Sequence, residues 1–419
     1  MEIATSVTDG IPSNLRKRKN TVAASGTRPE LLRPPKYTVN LSLPPEERYL
    51  HIVPDFIGLI EPLPALLDEI LACLPWLPVS WFKFIARLLL RKMYDTEEDG
   101  ELRGIAKATR VDLYLLIAMN VFLDLFMGCT SGGVRVRNGR NSSDTRMLHF
   151  RCLDWDMDPL RKLVIELDFV NEAGGEIVFT SLTYFGYVGC LTGLKKNLSV
   201  ALNTRSIHDR STFMKRLSFQ WHRIMILLGR RRGIASELRM IMMQPVRDPD
   251  VIARDLLQKH ATAAYITLCN GCTTVVLDND NCCGLIRQDS DFILAVNHDV
   301  AEGQQQSLQY LTDQVALGNF TGLQMIVYTS MDRQECVENL WNSEKKKSKT
   351  GFCITEKKLI RWMESCNSLS NEQTHFGVIM DPSTAKIIWL QRYPEPLEWF
   401  EEIEDEKTGD TSENEDSQS

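Results

Sequence analysis

The sequence predicts a layered α+β protein on three observations: a helix-patterned first third, an abrupt change to short β-like runs at Cys129, and a helical block that interrupts those runs. Residues 35–128 are mostly helical in pattern. Pro35-Lys36-Tyr37-Thr38-Val39-Asn40-Leu41 is a short extended lead-in, and Ser42-Leu43-Pro44-Pro45-Glu46-Glu47 has the acidic first turn of a helix start. Leu66, Leu67, Ile70 and Leu71 recur at helical spacing, as do Val111, Leu113, Leu116, Met119 and Leu123. From Cys129 onward, β-like runs fall at 131–136, 147–151, 163–170, 176–182, 199–203, 263–268, 272–277, 292–297, 324–329, 375–380 and 386–391. Asn171-Glu172-Ala173-Gly174-Gly175 joins two of them as a hairpin turn, so the sheets are expected to be largely antiparallel. Helices are expected at about 211–260 and near 355–366. The ends, 1–34 and 399–419, are polar and expected to be disordered tails, since neither holds apolar surface to offset its ordering entropy. That leaves 35–128 as an N-terminal helical segment and 129–398 as the main domain.

With 419 residues, 43% hydrophobic and 25% charged, the chain can build one large core or two smaller ones. A net charge of -7 and a pI near 5.7 argue against nucleic acid as a partner. The basic run Leu15-Arg16-Lys17-Arg18-Lys19 fits a nuclear signal, although a solvated tail is the simpler reading. The first 30 residues show no apolar leader. The most apolar stretch, 50–92, is broken by Pro62, Pro64, Pro75 and Pro78 and by Asp68, Glu69 and Lys83. It falls short of the ~20 uninterrupted apolar residues that a bilayer span needs. Eleven cysteines, an odd number without a tight framework, favour free thiols and an intracellular, cytoplasmic location. The glycosylation triplets at Asn40, Asn141, Asn197 and Asn319 arise often by chance and do not outweigh this.

In Leu125-Phe126-Met127-Gly128-Cys129-Thr130-Ser131, a helix rich in Leu and Phe ends at Gly128 and a cysteine opens the first strand. A buried small hydrophobe is the default role for such a cysteine. About twenty residues on comes His149-Phe150-Arg151-Cys152-Leu153-Asp154-Trp155-Asp156. A hairpin of 131–136 and 147–151 would return Arg151 to Cys129, and a cationic neighbour lowers a thiol's pKa. Asp154 can hold an amine in place; a structural Arg–Asp pair at a strand end is the alternative.

These residues resemble the acid ceramidase and N-acylethanolamine acid amidase family. The matching features run in order: Cys129-Thr130-Ser131, then Arg151-Cys152-Leu153-Asp154-Trp155, then Phe185-Gly186-Tyr187-Val188-Gly189-Cys190-Leu191-Thr192-Gly193, then Leu202-Asn203-Thr204-Arg205. Upstream, Pro34-Pro35-Lys36-Tyr37-Thr38-Val39-Asn40-Leu41 with Pro44-Pro45-Glu46 resembles the family's small subunit; downstream, Leu294-Ala295-Val296-Asn297-His298-Asp299 matches its Asn-x-Asp strand end. The resemblance covers about 350 residues, from roughly 34 to 391. It implies a four-layer αββα sandwich of the N-terminal-nucleophile hydrolases. Cys129 would be the nucleophile, Arg151 and Asp154 would position and activate it, and Asn297 would stabilise the oxyanion. Gly128–Cys129 would be the bond cut in maturation, and Tyr187, Asn203 and Arg205 would meet substrate. No cofactor or metal is implied. The substrate would be an N-acylated lipid, a ceramide or an N-acylethanolamine, and the cleaved fragments would stay together as a heterodimer.

The chemistry is coherent. The thiol attacks the Gly128 carbonyl, the peptide becomes a thioester, and water releases it. Gly128, without a Cβ, would tolerate strain there. The freed α-amine, of reference pKa about 7.7–8, then serves as base for its own thiol. Four departures from the family pattern stand out. Thr204 replaces a Glu between Asn203 and Arg205, and no Arg or Lys follows Asn297 until Arg333. The cysteine-rich stretch 269–283 replaces a Gly-rich turn, and the leader of the lysosomal members is missing.

Cys269-Asn270-Gly271-Cys272 with Cys282-Cys283 raises a zinc site, but Asn-Gly between apolar runs is better read as a tight hairpin. Arg230-Arg231-Arg232 fits either a solvated loop or a contact with acidic head groups. Trp76, Trp81, Phe82 and Phe84 would either make a peripheral membrane contact or pack on the catalytic part. The rivals to a lipid amidase are an acylase for a more polar amide, of bile-salt or penicillin type, and an uncleaved, catalytically weak lipid-binding protein of the same fold.

Overall fold

In the computed structural model, residues 18–20, 33–65, 79–122, 128–137, 144–205, 211–300, 322–347, 353–366, 368–397 and 399–401 are described. The N-terminal part runs β1 (Arg18–Asn20), β2 (Lys36–Asn40), a 3-10 turn (Pro45–Glu47), α1 (Val53–Ile60), α2 (Val79–Leu89), α3 (Thr96–Thr109) and α4 (Leu113–Phe122). Asp95 caps α3 by accepting from the N–H groups of Glu97 and Glu98, and acidic residues fill its first turn, where the helix dipole favours them. Val111, Leu113, Leu116 and Met119 follow helical spacing in and just before α4; Leu66, Leu67, Ile70, Leu71, Leu123 and Trp76 lie outside the described residues.

The chain continues with β3 (Gly128–Arg137), β4 (Thr145–Asp154), α5 (Asp158–Arg161), β5 (Val164–Val170), β6 (Ile177–Tyr184), β7 (Thr192–Lys195) and β8 (Leu198–Thr204). The expected helical block resolves into α6 (Phe213–Leu227), α7 (Ile234–Met243) and α8 (Pro249–Leu257). Then come β9 (Ala264–Cys269), β10 (Thr274–Asp280), β11 (Cys283–Asp289), β12 (Phe292–Ala295), α9 (Gly322–Lys347), β13 (Ile354–Thr355), α10 (Glu356–Ser365), β14 (Thr374–Asp381), β15 (Lys386–Arg392) and β16 (Trp399–Glu401). Eight strands form one sheet in the order β11-β10-β9-β8-β7-β6-β5-β2. A six-stranded sheet runs β12-β3-β4-β14-β15, with β13 beside β3. Every pairing within these two sheets is antiparallel except β2–β5 and β13–β3.

Strands β5, β8, β9 and β10 are buried along their whole length, the signature of a sheet covered on both faces. Alternation along β3 and β4 divides the layers. Cys129 and Leu153 pack inward with Leu202, Ile266 and Leu268 of the large sheet; Val134, Val136, Leu148 and Phe150 pack outward against Val337 and Trp341 of α9 and Leu359 and Trp362 of α10. On the far side, α7 sits on the large sheet, where Lys195 Nζ donates to the carbonyls of Ile241 and Met242. The layer order is αββα, as expected.

The N-terminal segment is woven into this sandwich. Strand β2 forms the edge of the large sheet, and Phe56 stacks on Phe185 with ring centroids 4.9 Å apart. Asn120 donates to Gly186 O at 2.8 Å and accepts from Val188 N–H at 2.8 Å. Glu101 is clamped between Arg48 (3.1 Å) and Arg239 (2.6 Å), all three buried. Burial pushes the neighbouring Glu98 carboxyl up to about 7, although Arg239 and the Ser236 hydroxyl pull the other way.

Several sequence expectations need correction. Residues 324–329 lie inside helix α9, not in a strand; a short apolar run cannot by itself distinguish the two. Strands β7, β11 and β13 were not expected, being very short or, for β11, largely polar and exposed at an edge. The tails were expected to be disordered throughout, yet β1 and β16 pair antiparallel. The Asn270-Gly271 hairpin exists between β9 and β10, but residues 270–273 form its loop, so Cys272 lies in the turn. Gly271 takes φ 91 there, and Asn270 Oδ1 accepts from Cys272 and Thr273. Among the described residues no helix is long and apolar enough to cross a membrane.

Candidate active site

The β3–β4 register sets the site. Ser131 opposes Arg151, Cys129 opposes Leu153, and Gly128 opposes Asp154. Cys129 and Arg151 therefore point inward, while Thr130 and Asp154 point outward toward α9. Arg151 Nη2 lies 3.3 Å from Cys129 Sγ and donates to Leu202 O at 2.7 Å, while Nη1 donates to Leu191 O. Arg151 is fully buried, and among the described residues no carboxylate lies within ion-pair reach of it. A buried cation without an anion is costly, and the sulfur is its natural counter-charge when ionised.

The expectation that Arg151 would leave this thiol acidic does not hold in the uncut chain. Burial pushes the Cys129 thiol up; Arg151 and Arg333 pull it down, while Asp154 pushes it further up. Desolvation wins because Cys129 is fully buried.

Asn297 follows β12 and meets the main chain of Cys129. Its Oδ1 accepts from Cys129 N–H at 2.7 Å and from Arg333 Nη2 at 2.8 Å; its Nδ2 donates to Thr204 O at 2.8 Å. Two donors on one atom and a carbonyl on the other leave a single amide orientation. One N–H of the NH₂ expected to stabilise the oxyanion is given to the Thr204 carbonyl, and the oxygen holds the Cys129 nitrogen. Asp154 reaches that nitrogen only through intermediaries. Its Oδ2 accepts from Arg333 Nη1 at 2.9 Å and its Oδ1 from Thr374 Oγ1 at 2.7 Å. The chain of contacts runs Asp154–Arg333–Asn297–Cys129.

Arg333 and Thr374 are the neighbours of Asp154 that the sequence did not signal. The absence of a cation after Asn297 is made good by Arg333 itself, carried in on α9. Nothing local to Asn297 signals this, because the residue arrives from an element 36 positions downstream. His298 is held between Ser330 (2.6 Å) and Gln334 (2.7 Å) of α9, which fixes the helix against the Asn297 loop.

Two of the residues expected to meet substrate, Asn203 and Arg205, are hydrogen-bonded within the fold. Asn203 accepts from Ser131 Oγ at 3.1 Å and donates to Ala295 O at 3.1 Å, bridging the two sheets. Arg205 forms a bidentate pair with Asp299 at 2.8 and 2.9 Å, and Tyr265 O–H donates to the same carboxylate at 2.7 Å. Tyr187 is buried beside Gly189 in the turn after β6. Nor does Gly128 need its missing Cβ: its φ is not positive, and a methyl group there would make ordinary contacts of 3.4 Å with Asp154. Among the described residues no group of three His, Cys, Asp or Glu side chains could hold a metal ion.

The site is thus a strand-borne cysteine between two face-to-face sheets, beside a buried guanidinium. Comparison with known proteins finds partial likenesses. The model of the beta subunit of N-acylethanolamine-hydrolyzing acid amidase matches residues 33–94. The N-acylethanolamine-hydrolyzing acid amidase of Caenorhabditis elegans is 32% identical over 184 residues, covering 41% of this chain and 48% of that protein. Acid ceramidase of Rattus norvegicus is 30% identical over 219 residues, 45% of this chain and 50% of the relative. A solved Caenorhabditis elegans N-acylethanolamine-hydrolyzing acid amidase ortholog aligns with TM-score 0.43 and 19% identity over 61% of this chain and 93% of its own. Over these stretches the chain is similar to acid ceramidases and N-acylethanolamine-hydrolyzing acid amidases. It spans about half the length of the curated relatives it matches.

Proposed function

We propose that this chain is a self-processing cysteine amidohydrolase that cuts before Cys129 and then hydrolyses the amide of an N-acylated lipid. The observation that carries this reading is the Cys129 pair of contacts: sulfur 3.3 Å from a buried guanidinium, and nitrogen held at 2.7 Å by Asn297. In the uncut chain the thiol attacks the Gly128 carbonyl, the peptide C–N bond breaks, and the nitrogen takes the thiol proton. Water then hydrolyses the thioester, leaving a Gly128 carboxylate and the Cys129 amine. Asn297 Oδ1 is already placed to accept from that amine, and Arg333 and Asp154 keep Asn297 in place. The amine next acts as base for its own sulfur, so no histidine is required. Arg151 stabilises the thiolate, the substrate amide acylates it, and water completes the cycle.

The product fragments stay together in this account, because β2–β5 pairing, the Phe56–Phe185 stack and the Glu101–Arg239 pair all join the two sides of the cut. Lipid would arrive at a membrane face. Trp81, Phe84, Ile85 and Leu88 form an exposed apolar stripe on α2, and Phe213, Met214, Leu217, Trp221 and Ile224 form another on α6. The second reading, a lipid-binding protein that keeps the fold without turnover, draws on the complete burial of Cys129 and the engaged side chains of Asn203 and Arg205. Side-by-side turnover of a ceramide and an N-acylethanolamine tests the proposal. Release of free fatty acid from either supports the amidase. No release from either, by protein whose mass proves cleavage at Cys129, refutes it.

A further inference from the structure

The run Arg230-Arg231-Arg232 after α6 has no part in the amide chemistry. It walls a cavity of about 290 Å³ together with Tyr94, Glu237, Lys259 and His260. The run is pinned. Leu228, Gly229, Arg230 and Arg231 donate their N–H groups back to carbonyls of Ile224, Ile226 and Met225, closing the helix end. Gly229 takes φ 61, and a Cβ there would meet Lys92 O at 2.5 Å, so only glycine lets the loop lie this close to the segment after α2.

The cavity carries an unbalanced charge. Arg230, Arg231, Arg232 and Lys259 line it against one carboxylate, Glu237. Glu237 is shared by Lys259 and Arg232 (3.5 Å), and Arg232 takes Asp95 outside the lining at 2.8 Å. Two carboxylates therefore answer two cations, which leaves Arg230 and Arg231. Arg231 Nη1 lies 3.4 Å from Nδ1 of His222, a ring that burial and Arg231 hold neutral down to about 4 and that brings no negative charge. Among the described residues no carboxylate lies within ion-pair reach of Arg230 or Arg231. Helix α7 starts in the same wall, at Gly233 and Ile234, with no side-chain cap, and adds the positive end of its dipole.

We propose that this cavity binds a phosphate group, as a monoester or diester, through the guanidinium groups of Arg230 and Arg231. Planar guanidinium forks match phosphate oxygens in pairs, and the one carboxylate of the wall, Glu237, is already taken by Lys259 and Arg232. The volume equals about ten waters, enough for a phosphate and the first carbons of its ester. A soluble phosphate ester and a phospholipid head group share this chemistry. The inference stands apart from the amidase reading, and its test does not depend on turnover.

The test uses the full-length protein and the double variant Arg230→Ala/Arg231→Ala. Calorimetric titration with glycerol 3-phosphate probes the soluble source. Flotation on phosphatidylcholine vesicles, with and without phosphatidic acid, probes the head group. The unaltered protein is expected to bind glycerol 3-phosphate, or to float more on phosphatidic acid vesicles than on plain ones. The double variant is expected to lose about tenfold or more in that binding. An Arg230→Lys/Arg231→Lys variant should recover part of it. Binding in the first arm assigns a soluble ester, and binding in the second alone assigns a lipid. Failure in both arms overturns the proposal, as does a double variant that melts normally and binds as well as the parent.

Discussion

Replacing Arg333 by methionine puts the buried chain of contacts behind Cys129 to a quantitative test. Arg333 is 3% exposed and donates to Asp154 at 2.9 Å and to Asn297 at 2.8 Å. Methionine fills part of the space but leaves Asp154 with Thr374 as its remaining side-chain donor of those two. Stranding one member of a buried ion pair typically costs about 3–5 kcal/mol. The pH dependence has a definite sign. Burial already holds the Asp154 carboxyl above its ordinary value, against the pull of Arg333 and of Thr374. A raised acid contributes stability below its ordinary value and loses it as pH rises through the folded value. Removing Arg333 raises the folded value further, so the variant's deficit is largest near neutrality and shrinks as acid protonates Asp154. Urea unfolding should give a deficit of about 3–5 kcal/mol at about pH 7 and much less at about pH 4. Adding Asp154→Asn should recover most of the deficit at neutrality. A neutral-pH deficit under about 1 kcal/mol, or one independent of pH, would refute the contact as described.

Three further outcomes are expected. Arg239→Met leaves Glu101 to Arg48 alone and should cost about 3–5 kcal/mol by thermal or urea unfolding; in cleaved protein it should also let the fragments separate on gel filtration. Gly128→Ala should fold and self-cleave, because the new methyl group meets Asp154 at 3.4 Å, whereas Gly104→Ala would drive a Cβ to 2.0 Å from Glu46 O and should lose about 1–3 kcal/mol. His149 is buried, hydrogen-bonded to Ser199 at 2.8 Å, and burial, with Arg151, holds it neutral down to about 3. The unfolded chain therefore takes up a proton that the native state refuses, and stability falls as pH drops from about 6.5 towards about 3. His149→Gln should flatten that acid limb by up to about 4 kcal/mol, read as the urea midpoint against pH.

Much of this architecture was legible from local pattern. The hairpins around Asn171–Gly175 and Asn270-Gly271, the helices of 211–260 and the change of character at Cys129 follow from turn residues and periodicity, which act over a few positions. The approach of Arg151 to Cys129 followed from the same hairpin logic. What escaped was long-range. Gln324-Met325-Ile326-Val327-Tyr328-Thr329 reads as a strand, but it lies near the start of a 26-residue helix whose later turns carry Arg333 into the site. The cation counted as absent from the neighbourhood of Asn297 was thus present, one layer away. The partners of Asn203 and Arg205 escaped for a similar reason: their motif marks where they sit, while Ala295 ends β12 and Asp299 lies in the segment after it. The thiol's acidity was misjudged because a cation can be inferred from sequence, whereas the extent of desolvation depends on the closed sandwich.

Intact-mass analysis with N-terminal sequencing of the purified chain bears most directly on what the Cys129 constellation does. The account expects two pieces, residues 1–128 and 129–419, with the larger beginning at cysteine, and a single uncut chain for Cys129→Ala. Uncut parent protein under conditions where it hydrolyses a lipid amide, or fragments of the same masses from Cys129→Ala, would contradict it.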